Sequence, residues 1–158
     1  NVVLQNLYGM TYMPQSFDVP GGVKIRILKN QKPYASISKA ETDGWHQNNV
    51  PVTLRNPKDK PIKLKISGKL FKGKPESKVA DITFSSEADS TKQFTQKTNS
   101  WIIDLSFQVP SDFFDSKGIA KLILKSSWAG KPSSISNSSD IRNLAFQNLK
   151  LVVKEEIK

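Results

Sequence analysis

The side chains best suited to chemistry in this chain sit in one polar run, Glu41 to Asn49, ETDGWHQNN. Trp45 presents an apolar ring face that suits sugar C–H groups, and Gln47, Asn48 and Asn49 carry amides that suit hydroxyls. A tryptophan flanked by amides is the make-up of a sugar site. A tryptophan is also usually well buried, so Trp45 could equally cap a core from its loop. Trp128 and Tyr34 are the other candidate stacking rings. Lys63, Lys65 and Lys69 share one parity along an apolar-basic run, and would favour an acidic glycan if they line the same face.

Catalytic chemistry finds little here. His46 is the only histidine, and it lies near no nucleophile elbow. The absence of cysteine excludes disulfides, thiol nucleophiles and cysteine zinc sites. Neither a P-loop nor a GxGxxG turn is present. Glu87 and Asp89 in the loop SSEADST could offer oxygens to calcium, but EF-hand spacing is missing. The expectation is a protein that is not an enzyme and has no cofactor and no metal site.

The charge is uneven. Of the formal net charge of +10, residues 51–75 contribute +7, with 8 basic and 1 acidic side chains. Such a surface favours anionic partners, although solubility alone would also account for it. Lysine outnumbers arginine heavily, whereas specific phosphate readers tend to use arginine forks. Phe71 is the single aromatic in that basic segment, which argues against nucleic acid stacked along it. No apolar run approaches the ~18 residues of a membrane helix, so no membrane span is expected. The chain begins at Asn1 and not at methionine, and is read as a mature or excised fragment, so a missing signal peptide is silent on secretion.

The elements that must hold these residues are strands. Trp101, Ile103, Leu105, Phe107 and Val109 alternate with Asp104, Ser106 and Gln108 until Pro110 stops the run. That pattern predicts a half-buried strand with Trp101 in the core. Further strands are predicted at Val23–Ile27, Tyr34–Ser38, Val50–Leu54, Ile62–Leu70, Ala80–Phe84, Ala120–Leu124 and Leu144–Val153. Gly68 falls on the inward parity of its strand and marks a bulge or a close approach. In the last strand, parity changes between Phe146 and Leu149, which predicts a β-bulge at Gln147–Asn148. Residues 111–118 read as one helical turn ending at Gly118, and 129–140 as a long loop containing the sequon Asn137-Ser138-Ser139.

Together these give one domain over residues 1–158: an all-β, antiparallel β-sandwich with jelly-roll topology of eight or more strands favoured. An immunoglobulin-like order also fits. Residues 1–22, rich in Tyr, Met and Phe, either pack along the sandwich or form an N-terminal arm that docks into a neighbouring copy.

The order LKISGKL, ADITF, then Trp101 with Phe107-Gln108-Val109-Pro110, then Gly118, Ala120, Leu122 and Leu124, and finally FQNLKLVV, resembles the second half of jelly-roll carbohydrate-binding modules of the galactose-binding-like group. The resemblance covers a little over half the chain. The family's Asn-Gly-Phe-Glu-like opening is absent, and Gln147-Asn148 stands where an Asp-Asn pair is common. It implies a non-catalytic, extracellular module, secreted or at the cell surface, that binds a polysaccharide or glycan. Trp45, Trp128 and Tyr34 would then stack on sugar. The competing expectation is a structural subunit of a pilus, matrix or surface fibre, self-assembling by β-strand exchange through the arm.

Overall fold

A computed structural model describes residues 17–18, 24–25 and 32–156. The chain divides into two units, Asn1–Lys32 and Pro33–Lys158. In the first, β1 (Phe17–Asp18) and β2 (Lys24–Ile25) pair antiparallel, with Phe17 opposite Ile25. The rest of the expected N-terminal arm lies outside the described residues, as do the flanks of the strand expected at Val23–Ile27.

The second unit is the sandwich. Its strands are β3 (Tyr34–Ile37), β4 (Trp45–Gln47), β5 (Val50–Arg55), β6 (Ile62–Leu70), β7 (Ala80–Ser86), β8 (Gln93–Thr98), β9 (Ile102–Gln108), β10 (Ile119–Ser126) and β11 (Leu144–Glu155). One sheet has the order β3-β5-β10-β7-β8 and the other β4-β11-β6-β9. The pairs β7–β8, β6–β9, β5–β10 and β4–β11 nest inside one another, alternating between the sheets. That is one long hairpin rolled up, which defines a jelly roll and excludes the immunoglobulin order.

Alternation builds the core. Val50, Val52 and Leu54 of β5, Ile62, Leu64 and Ile66 of β6, and Ala120, Leu122 and Leu124 of β10 are all buried. Phe84 of β7 meets Phe107 of β9 edge-on across the sheets at 5.0 Å and stacks on Phe94 of β8 at 5.2 Å. Such ring pairs add about 0.5–1.5 kcal/mol beyond their buried area.

The bulge is where parity placed it. The β11–β6 register shifts between Gln147 and Lys150, so Leu149 is inward like Phe146. Asn148 takes a left-handed φ of 55° there. Gly68 faces the bulge at φ +149°, and a Cβ on it would lie 2.9 Å from the Gln147 carbonyl oxygen. The turn after Pro110 is a short 3-10 turn, Ser111–Phe113, and Gly118 closes its loop at φ +75°.

Three expectations change. β8 was not expected, because QFTQKT has one apolar residue; as an edge strand it needs only Phe94 to anchor it. β4 lies inside the run read as a polar loop, a three-residue edge strand paired to β11. Trp101 is not in the core but 53% exposed. The hydroxyls of Thr98 and Ser100 accept the N–H groups of Ser100 and Ile102, so the chain turns at Trp101 and the pleat begins one residue later.

Candidate functional site

Cross-strand register assembles one surface, the outer face of the four-stranded sheet. Trp45 pairs with Gln147, Gln147 with Lys69, and Lys69 with Ile102, giving a single row from edge to edge. Three inter-strand steps make that row roughly 14–15 Å long. The next outward rows are Lys150–Ser67–Asp104, Val152–Lys65–Ser106 and Lys154–Lys63–Gln108. The inward residues of β6 and β9 are apolar apart from Gly68, so the basic face follows from strand periodicity.

Two indoles sit at opposite ends of the first row. Trp45 is partly buried and meets Phe71 edge-on at 5.7 Å. Trp101, just before Ile102, carries the Lys69 ammonium 5.6 Å from its ring centroid. At an exposed site a contact of this kind contributes about 0.5–1 kcal/mol. Among the described residues, Lys65 is paired to Asp104 at 3.8 Å, whereas Lys63, Lys69, Lys150 and Lys154 have no carboxylate within salt-bridge distance.

The loop before Trp45 is pinned by a residue that no sequence pattern singles out. Arg142, from the long loop before β11, contacts Glu41 at 2.8 Å, Asp43 at 2.8 Å and Asp140 at 2.7 Å. Its hydrogen bonds hold the Asp43 and Asp140 carboxyls below the ordinary carboxylate range, and backbone N–H groups of Trp45 and Arg142 add to this. The three carboxylates in turn favour the charged guanidinium. Asp43 Oδ1 accepts the Trp45 N–H at 3.3 Å, so the cluster fixes the entry of β4. Glu41 and Asp43 lie about a hundred residues from Arg142, so no local spacing signals those two contacts.

The other expected site residues separate. Lys63, Lys65 and Lys69 share the face with Trp45. Tyr34 is 50% exposed on β3, in the other sheet, with Arg55 5.8 Å from its ring. Trp128 corrects the expectation of a stacking platform: it is 1% exposed, donates from Nε1 to the Ser77 hydroxyl at 3.3 Å, and lies under Lys72. A buried ring has no face for sugar. Gln47 is engaged with Glu41 and the Asn143 N–H, and Asn48 Oδ1 accepts the Ser126 N–H at 3.0 Å, so both tie loops together. Asn49 is exposed in the turn that follows, at φ 69°. His46 is buried, and its Nε2 donates to the Ser38 carbonyl at 2.6 Å while Nδ1 has no partner.

Elsewhere, a shallow depression between Asn56–Asp59 and Ser111–Gly118 contains Asp59, Asp112 and Asp115. Asp115 is occupied by the N–H groups of Lys117 and Ile119, which lower its pKa. Asp89 likewise serves Thr91 in its own turn. Among the described residues no group of three His, Asp or Glu side chains is placed to hold a metal ion, and no helix is long and apolar enough to cross a membrane. No family model, curated protein or solved structure matches this chain.

Proposed function

We propose that the protein is a non-catalytic, extracellular carbohydrate-binding module that holds an acidic polysaccharide on the outer face of its four-stranded sheet. The observation that carries this reading is the row Trp45–Gln147–Lys69–Ile102, which puts a partly open indole, an amide and an unneutralised lysine on one sheet face. Lys63 and Lys65 continue the positive charge along β6. An aromatic face, hydroxyl partners and distributed ammonium groups together suit a polyanion made of sugars. The cations of these outward rows are all lysines, which fits diffuse attraction better than the arginine forks that read individual phosphates.

A glycan array at two salt concentrations tests the proposal. Acidic polysaccharides are expected to bind, more weakly at high salt, because exposed charges are screened within about 10 Å at 0.1 M. Trp45→Ala and a Lys63→Gln/Lys65→Gln pair are expected to reduce that binding. Equal binding by the parent and all variants would remove this face as the site. A parent that retains no acidic glycan would remove the function.

A further inference from the structure

We infer that Trp101 and Lys69 form a subsite for an anionic sugar residue at the β9 edge of this face, an inference that rests on the glycan-binding reading above. Trp101 is 53% exposed, Ile102 57% and Val152 49%, and all three belong to the outer surface of one sheet. Solvation explains the lysines around them but not the apolar side chains; Trp101 and Ile102 lie at an edge strand, where exposed apolar groups invite association, and Val152 adds apolar area on the neighbouring face. The turn through Thr98, Ser100 and Ile102 holds Trp101 out of the core, so the indole is presented and does not pack.

Charge and shape select the occupant. Outward positions of β6, β9 and β11 carry Lys63, Lys65, Lys69, Lys150 and Lys154 against Asp104, with Glu156 just past β11 bonded to Gln108. Lys69 reaches over the Trp101 ring, so a sugar lying on the indole would bring its carboxylate or sulfate within reach of that ammonium. Ser106, further along β9, faces the same way and offers a hydroxyl to a sugar, whereas the Gln108 amide already donates to the Glu156 carboxylate. Trp45 marks the other end of the row, so a chain crossing from Trp101 to Trp45 would run across the strands. A single-stranded nucleic acid is the competing polyanion, since aromatics on a basic surface also stack bases.

The three tryptophans make the test direct. Their indole N–H signals in a nitrogen-15 spectrum are assigned by single Trp→Phe substitutions. The whole chain is then titrated with an oligogalacturonate, a sulfated heparin oligosaccharide, the carboxyl-reduced neutral form of the first, and an oligothymidylate. Trp101 is expected to shift with the carboxylated or the sulfated probe and Trp128 to stay still. Trp101→Ala should weaken binding roughly tenfold, as aromatic hot spots do. Lys69→Gln should weaken the anionic probe several-fold and leave the neutral one unchanged. Shifts at Trp45 with none at Trp101 would overturn the subsite and leave the glycan reading standing. No indole shift with any sugar would overturn both, and a preference for oligothymidylate would replace the sugar with a nucleic acid.

Discussion

Gly68→Ala is the substitution most closely tied to how the face is built. Gly68 adopts φ +149°, a backbone setting that L-residues rarely take, and its missing Cβ would stand 2.9 Å from the Gln147 oxygen, 3.2 Å from the Asn148 oxygen and 3.3 Å from the Leu149 Cα. All three are backbone atoms of the β11 bulge, so no rotamer change relieves the contact. The dihedral strain costs about 1–3 kcal/mol. Overpacking costs about 1–3 kcal/mol more. Both act at one point and need not add, so about 3 kcal/mol is the expected loss. For a unit of this size that lowers the thermal midpoint by roughly 10 °C. Urea unfolding followed by circular dichroism measures it, with Asn148→Gly as the companion. Asn148 already sits at φ 55°, so glycine there should leave stability close to the parent. A Gly68→Ala protein within about 0.5 kcal/mol of the parent, the range of an ordinary surface change, would refute this account of the bulge.

Trp128→Ala should cost about 3–5 kcal/mol in the same measurement. Trp101→Ala should cost no more than about 1 kcal/mol, the worth of its exposed contact with Lys69; similar losses from both would contradict their assigned burial. Asn48→Ala should lose about 1–2 kcal/mol, by leaving the Ser126 N–H without its acceptor, while glycan binding persists. Asp43 and Asp140 have folded pKa values below their unfolded ones, so the stability they contribute is present above the ordinary value of 3.8 and is lost as pH falls below it. Arg142→Met removes the cause, so the stability gap between parent and variant should narrow steadily in titrations from pH 5 down to the acid limit of folding. A gap that does not change with pH would show that the guanidinium contributes packing and not charge.

Periodicity carried most of the sandwich. The alternation through Ile103 to Val109 and the parity change before Leu149 marked inward faces and a bulge from residue types alone, because burial on one sheet face imposes a period of two. The same reasoning failed at Trp101, whereas Trp128, read as a stacking ring without regard to parity, does follow the inward parity of its strand. Trp101 extends the inward parity of β9 backwards, and Trp128 extends that of β10 forwards through Ser126. β10 runs through the middle of its sheet, so core lies beneath its end; β9 is an edge strand, and the residue just before it turns away. Which strand is central is a property of topology, and parity does not report it. β8 escaped notice because an edge strand with a single inward phenylalanine leaves almost no pattern. The Arg142 cluster escaped because charge pairing between residues 41–43 and 140–142 exists only once the β4–β11 pair has formed. Of the site, the lysines on β6 could be grouped by parity, but their alignment with Trp45 depended on two successive registers.

The nested hairpin also sets an order of assembly. The β7–β8 pair joins residues close in sequence, whereas β4–β11 joins residues about a hundred apart, so each successive pair closes a longer loop. Folding is expected to proceed from the inner hairpin outward and to fall in the millisecond-to-second range of non-local β proteins. β11 occupies the space between β4 and β6, so on the ribosome the four-stranded sheet stays split until that strand emerges. Trp45 and Lys69 are then joined into one row through Gln147 in the last step, and the surface proposed to bind exists only in the completed fold.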